Sequence, residues 1–308
     1  MTGIIGIFLL IGLALALSSQ RSAINWRTVG GAFALQVGIA LFILYVPAGV
    51  AALLKITEFV ASVIAFADQG INFVFGAVGD KSLGFIFAFN VLPVIIFFSS
   101  LIAVLYHLGV MKWVINIIGG ALQKLLGTSR PESMSAAANI FVGQTEAPLV
   151  VRPFIPKMTQ SELFAVMVGG LASIAGSIMA GYAGIGVELK YLLAASFMAA
   201  PAGLLMAKII LPETETPHND LSDVQSTDEE HTFANVFDAA ASGASSGLQL
   251  ALNVGAMLLA FVALIAMLNG IIGWAGGLFG QENLTFEYIL GVILAPLAWA
   301  IGVDWSEA

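Results

Sequence analysis

Residues 139–148, Asn-Ile-Phe-Val-Gly-Gln-Thr-Glu-Ala-Pro, set Asn139, Gln144, Thr145 and Glu146 in the middle of apolar sequence. The runs on either side, Pro131 to Phe141 and Pro148 to Lys157, are each about half of the roughly 20 residues a helix needs to cross a bilayer. Non-helical backbone at membrane depth is tolerated only where protein buries it or where it lines a cavity. The stretch therefore reads as the tip of a re-entrant helical hairpin built to hold a polar solute or an ion. The function class it points to is transport.

Composition agrees. With 59% hydrophobic and 10% charged residues and a mean hydropathy of +0.98, the chain reads as an all-α integral membrane protein in a lipid bilayer. The net charge of −8 is local in origin: acidic residues cluster between Glu213 and Glu230, and no Lys or Arg follows Lys208. A basic face for nucleic acid is absent. There is no Cys, which excludes disulfides and thiolate metal sites. His107, His218 and His231 form no metalloprotease pair. Glu146 and Asp238 could be imagined as acids, but no nucleophile–base pair or ligand cluster accompanies them, so no enzyme is expected.

The apolar runs can be laid out in order. Gly3 to Leu17 precedes the first positive charges, Arg21 and Arg27, which is the reverse of a secretory signal. It reads as a first span, 3–18, with its basic flank in the cytoplasm. A second span covers 29–46. Residues 50–80, with Lys55, Glu58, Asp68, Asp80 and Lys81, read as an external helix and loop. A third span runs from Leu83 to His107, with a kink expected at Pro93. Over 111–126, Val114, Ile117, Ile118, Ala121, Leu122, Leu125 and Leu126 keep helical spacing while Lys112, Asn116, Gln123 and Lys124 take other faces. That pattern fits an amphipathic helix in the interface, or one packed within the protein.

The hairpin, 131–157, is flanked by Arg130, Arg152 and Lys157, which places both its ends in the cytoplasm. Span four, 161–182, is crowded with small residues, among them Gly169, Gly170, Ser173, Gly176 and Ser177. These permit close helix approach and are also the mark of a helix broken at mid-membrane. Span five covers 191–210. Residues 212–232 read as a flexible acidic cytoplasmic loop. From Ala239 to Gly280 no charge appears, longer than one perpendicular span, so a long tilted helix is expected, with an irregular end at Gly273, Gly276 and Gly277. Residues 284–303 either cross the membrane or lie on it.

At the hairpin tip two half-helices would meet. The first, ending near Val142, presents carbonyls without helical partners, which suit a small desolvated cation. The second, starting around Glu146–Pro148, presents free N–H groups, and Pro148 fits its first turn. Gln144 offers a donor and an acceptor that match the edge of a planar polar solute. Thr145 adds a hydroxyl. Glu146 is costly at this depth unless paired or hydrated, and so is a functional candidate.

These residues resemble the concentrative nucleoside transporter family, particularly its bacterial members. The resemblance is carried by Gly143-Gln144-Thr145-Glu146-Ala147-Pro148, by Ser135-Ala136-Ala137-Ala138-Asn139-Ile140-Phe141 and by Leu171-Ala172-Ser173-Ile174-Ala175-Gly176, and it extends over the whole chain. It implies a homotrimer in the bacterial inner membrane that takes up uridine-like nucleosides by sodium symport, through an elevator-like movement of a transport domain. In that fold, an inverted-repeat transporter, residues 1–110 would be scaffold and 111–211 the first repeat of the transport domain. Residues 212–232 would be the acidic loop, 233–281 the tilted scaffold helix, and 282–308 the second interfacial helix and the start of a second hairpin. The resemblance assigns sodium to Asn139 (side chain), Val142 (carbonyl), Ser173 (hydroxyl) and Ile174 (carbonyl), a neutral oxygen set apt for a hard cation. It assigns the nucleobase to Gln144, Thr145 and Glu146, with apolar contact from Ile178. No organic cofactor is implied. Family members continue into a second hairpin and two further spans that grip the ribose, so the chain is expected to be an incomplete transporter. The residues alone leave open a symporter of another polar solute, or a non-transporting membrane gate that reuses the hairpin.

Overall fold

The computed structural model describes residues 2–79, 84–141, 143–144, 147–174, 176–217, 233–278, 280–281 and 284–307. Every regular element among them is helical. The chain gathers into two compact units, residues 18–252 and residues 1–17 with 253–308. Five helices among the described residues are long and apolar enough to cross a membrane by length and composition.

In the larger unit, Asn25 caps helix α2 (Trp26–Tyr45), its side chain accepting from the N–H groups of Arg27 and Thr28. Val46 alone separates α2 from α3 (Pro47–Phe75). The reversal is tight: a β-carbon at Gly49 would stand 2.0 Å from the Phe42 carbonyl oxygen, so only glycine fits. The expected external helix over 50–80 is thus one helix of 29 residues, with Lys55, Glu58 and Asp68 exposed along it. Ala67 and Ile71 of α3 pack with Val94 and Phe98. Leu53 of the same helix packs with Met179, Leu192 and Leu193.

The third span is two helices, α4 (Phe87–Asn90) and α5 (Leu92–His107). The expected kink at Pro93 is a helix start instead. Proline sits in the first turn of α5, where its missing N–H removes no helical bond. Asn90 ties the start of α4 to the preceding turn, accepting from the Ile86 N–H at 2.7 Å and donating to the Gly79 carbonyl at 3.0 Å. Leu83, where the span was expected to begin, lies outside the described residues, as do Asp80 and Lys81.

Helix α6 (Val110–Leu126) is bounded by Gly109 (φ +77) and Gly127 (φ +67), both left-handed. It buries Met111, Ile115, Gly119, Leu122 and Leu126 on one face. Gly119 lets it lie directly on Met134 of the next helix. Trp113, Ile117 and Leu125 form a second, exposed apolar face. The buried face fits the reading of a helix packed within the protein.

After it come α7 (Arg130–Ala138), α8 (Ala147–Val150), α9 (Gln160–Ala172), α10 (Gly176–Gly184) and α11 (Leu189–Ile210). The last long helix, α12 (Val236–Gly277), has 42 residues. Near its start it packs on α5 through small residues. A β-carbon at Gly247 would stand 2.7 Å from the Ser99 β-carbon and 2.8 Å from the Ile96 α-carbon. The Ser100 hydroxyl donates to the Ala240 carbonyl at 2.9 Å. Small residues with an interhelical hydrogen bond are how helices associate where burial of apolar surface gives no net drive.

The smaller unit holds α1 (Thr2–Ala16), the later part of α12, and α13 (Phe286–Ala300). Gly6 of α1 lies against the Ala300 carbonyl at a distance that admits no side chain. Asn269 of α12 holds the start of α13: its amide donates to both Glu287 carboxylate oxygens at 3.1 and 2.9 Å and accepts from the Phe286 N–H at 2.7 Å. Helix α12 runs regularly through Gly273 and Gly276 to Gly277, so its irregular end begins later than expected.

Gly247→Leu should therefore overpack the α5–α12 contact, with a cost of about 1–3 kcal/mol. A lowered thermal midpoint in detergent is the expected readout. Gly30→Ala, at an α2 position with nothing near its β-carbon direction, should leave the midpoint unchanged.

Candidate functional site

The polar stretch at 139–148 is carried by two short arms. The first, α7, starts at a capping box: the Glu132 N–H donates to the Ser129 hydroxyl and the Ser129 N–H donates to the Glu132 carboxylate. Pro131 sits in its first turn. The helix is buried on nearly every side, with Ser133, Ser135, Ala137 and Ala138 fully enclosed. It ends at Ala138, sooner than the expected end near Val142, and Asn139 is its C-cap. The return arm is not a continuous half-helix. It is the single turn of α8 followed by a 3-10 helix over Arg152–Lys157. Pro153 and Pro156 explain this, since each removes a backbone donor from the helical ladder.

Between the arms the described residues are Asn139, Ile140, Phe141, Gly143 and Gln144; Val142, Thr145 and Glu146 lie outside them. The Ala147 N–H donates to the Gly143 carbonyl at 2.9 Å, closing the turn into α8. Phe141 meets Phe197 of α11 edge to face, ring centroids 6.3 Å apart.

This tip rests on the small-residue end of α9. A β-carbon at Gly169 would stand 3.0 Å from the Asn139 amide nitrogen, and one at Gly170 would stand 3.0 Å from the Gln144 β-carbon. Asn139 is 1% exposed, and neither its amide nitrogen nor its amide oxygen has a hydrogen-bond partner. A buried amide left so costs about 1–3 kcal/mol unless something binds it.

Helix α9 itself has a capping box, Thr159 with Glu162, and stops at Ala172. Ser173 is extended (φ −106, ψ 159), and α10 begins at Gly176. Span four is thus a broken helix, the second of the two readings its small residues allowed. Gly169 and Ser173 are four residues apart and share a face, so the Asn139 amide lies about one helical turn, ~5 Å, from the level of Ser173. The Ser173 hydroxyl is also buried without a partner. The Ile174 carbonyl is approached by the Ser196 hydroxyl of α11 at 3.5 Å, a long contact. Ile178 is half-buried on α10, and Gln144 is exposed.

The structure therefore brings Asn139 and Gln144 onto α9 directly below the break that holds Ser173 and Ile174. Neutral oxygens from an amide, a hydroxyl and a carbonyl at a helix break are the donors a hard monovalent cation takes. No cluster of three or more His, Cys, Asp or Glu able to hold a metal occurs among the described residues.

Sequence reasoning missed Ser196, and it missed the ionic assembly at the foot of α7, where Lys208 of α11 meets Glu132 at 2.7 Å. Two signals were available. Ser129-x-x-Glu132 and Thr159-x-x-Glu162 both have the spacing of a capping box, and Lys208 is an isolated charge in a helix that carries no other after Lys190.

Comparison with known proteins gives three family matches along the chain: Na+ dependent nucleoside transporter N-terminus over residues 5–78, nucleoside recognition (Gate) over 88–188, and Na+ dependent nucleoside transporter C-terminus over 191–308. An uncharacterized transporter of Haemophilus influenzae is 61% identical over 312 residues, covering 100% of this chain and 74% of the relative. The nucleoside permease NupC of Helicobacter pylori is 52% identical, covering 99% of this chain and 73% of the permease. A solved structure described as CNTnw in an inward-facing substrate-bound state superposes with a TM-score of 0.94 at 57% identity, over 99% of this chain and 73% of that one. The chain spans about three quarters of the length of these relatives.

Because the chain has no Cys, single cysteines can be placed without background. Gln144→Cys should react readily with a soluble maleimide, while Ala137→Cys, fully enclosed in α7, should stay unlabelled until the protein is denatured.

Proposed function

Because this chain belongs to the Na+ dependent, or concentrative, nucleoside transporter family, we propose that it takes nucleosides into the cell by sodium symport, with its ion bound between the 139–148 tip and the break in α9–α10. The observation that carries this reading is Asn139, enclosed at 1% exposure with both amide atoms unpartnered. Sodium is held by the Asn139 side chain, the Val142 carbonyl, the Ser173 hydroxyl and the Ile174 carbonyl. The nucleobase is met by Gln144, Thr145 and Glu146, with Ile178 as an apolar contact. No organic cofactor takes part.

Coupling follows from this arrangement. The cation joins residues of the tip to residues of the break, so its binding favours the arrangement in which the tip lies closed on α9. Gln144 stands on that same tip against Gly170. A nucleoside that binds the closed arrangement better is bound more tightly when sodium is present, and the reverse holds by linkage. Every ligand is neutral, so the loaded site gains a positive charge, and an inside-negative potential pulls it inward.

The membrane arrangement of the larger unit is argued from one contact. The Thr28 hydroxyl near the start of α2 donates to the Leu126 carbonyl at the end of α6, 2.9 Å away. Those two points share a membrane face, the one that carries Arg27, Lys124 and Arg130. An even number of crossings must therefore separate them. With α6 lying in the interface, α2 leaves this face and α4–α5 return to it, which assigns α3 to the external surface. The hairpin 131–157 then enters and leaves on the cytoplasmic side of a bacterial inner membrane. Residues 111–211 act as one repeat of a transport domain that moves like an elevator within a homotrimer.

The test is uridine uptake into proteoliposomes with and without a sodium gradient. Wild-type uptake should require sodium and rise with an inside-negative potential. Asn139→Ala should raise the half-saturating sodium concentration about tenfold or more, a loss of about 1.4 kcal/mol or greater. Gln144→Ala should chiefly raise the uridine KM. Uptake indifferent to sodium in the wild-type protein would refute the symport reading.

A further inference from the structure

Lys208 is the last basic residue in the sequence and lies near the end of α11, a helix otherwise free of charge after Lys190. Its ammonium is enclosed, the side chain 7% exposed, and three side-chain oxygens lie within 3.5 Å of it. It pairs with the Glu132 carboxylate at 2.7 Å, donates to the Ser161 hydroxyl at 2.9 Å, and reaches the Glu213 carboxylate at 3.5 Å. Glu132 is the third residue of α7 and its side chain is 1% exposed. Ser161 is in the first turn of α9, and its own hydroxyl donates to the Leu211 carbonyl at 2.7 Å. Glu213 also accepts from the Thr159 hydroxyl, the N-cap of α9, at 2.8 Å. One buried cation thus ties together the feet of α7 and α9 and the end of α11.

Such a pair is poorly explained as a source of stability. Enclosing two charges costs about as much as their attraction returns, and an apolar replacement of similar volume is often no less stable. What an ion pair with fixed hydrogen bonds does supply is register. Here the two helices whose feet it joins are the ones that carry the ion ligands at their far ends: Asn139 follows α7 and Ser173 follows α9. From Glu132 to Asn139 is about 10 Å along α7. A helix so enclosed on all sides carries a displacement of its foot to its tip. Ligand positions must hold within about 0.5 Å for a bound group to be gripped.

We propose that Lys208 is a positioning residue for the sodium site, fixing α7 against α9 at their feet so that Asn139 and Ser173 meet in register at the tip. The proposal rests on the sodium site described under Proposed function. Lys208 touches neither ion nor nucleoside. Its removal should act on sodium affinity ahead of nucleoside affinity, because the nucleobase contacts lie on the tip itself.

The experiment measures sodium half-saturation and uridine KM, the latter at saturating sodium, in proteoliposomes normalised for folded protein. Lys208→Met should raise half-saturating sodium about tenfold or more while uridine KM changes less than about threefold. Lys208→Arg, which keeps the charge and can still bridge Glu132 and Ser161, should recover most of the loss. Where Lys208→Met alone leaves Glu132 unpaired and the protein fails to fold, the double variant Glu132→Gln/Lys208→Met removes both charges. It should fold and still show the weakened sodium dependence. The proposal is overturned if the folded double variant binds sodium as the wild type does, or if sodium half-saturation and uridine KM deteriorate together. Asn139→Ala is run beside these variants. If Asn139→Ala shifts sodium dependence and the Lys208 variants do not, the positioning role alone is wrong. If Asn139→Ala has no effect, the sodium site is wrong and the positioning role goes with it.

Discussion

Gly169 and Gly170 let the tip of the 131–157 segment lie against α9 at distances where any β-carbon would press on Asn139 or Gln144. The rest of the site depends on that approach. Without it the Asn139 amide would not be sealed from solvent, and the end of α7 would stand away from the break at Ser173. Close approach has a further effect on backbone chemistry. The end of α7 stops in protein surroundings, where carbonyls released from the helical ladder have few competitors for a bound cation. Two glycines therefore do more to define the site than the polar residues that attract notice first.

The arms behind this tip are fixed by different physics. Each of α7 and α9 begins at a capping box, so both start at set residues and do not fray. The Glu of one box is also the partner of Lys208. A single side chain thus caps its own helix with one oxygen and ties it to another helix with the second. The return arm is the short α8 and its 3-10 turn. Its packing comes from Val151 and Phe154 against Val166 of α9.

Much of this was legible in the sequence. Apolar runs gave the helices to within a few residues, the small residues around Ser173 marked the break, and polar residues amid apolar ones marked the tip. What was not legible depends on contacts between distant positions. Nothing near Lys208 in the sequence indicates Glu132 or Ser161 as its partners. The buried face of α6 was set by α7, through Gly119 against Met134, and periodicity cannot tell a face turned to protein from one turned to lipid when both are apolar. Pro93 was read from a local rule. The rule for a kink and the rule for a helix start differ only in where the helix begins, which the tertiary structure decides.

Helix α12 has 42 residues, and no Lys or Arg stands beside it on either flank, Lys208 being the last in the sequence. The bias that orients membrane helices during biosynthesis acts through basic residues within about 15–20 positions of their ends. For α12 that signal is missing. Its direction of insertion must be inherited from helices already in place, and the Gly243–Gly247 face fitted to Ser99 and Ala103 of α5 is the surface by which it can be told which way to run. A contact that appears purely structural in the finished protein is thus also the instruction by which the later part of the chain is assembled.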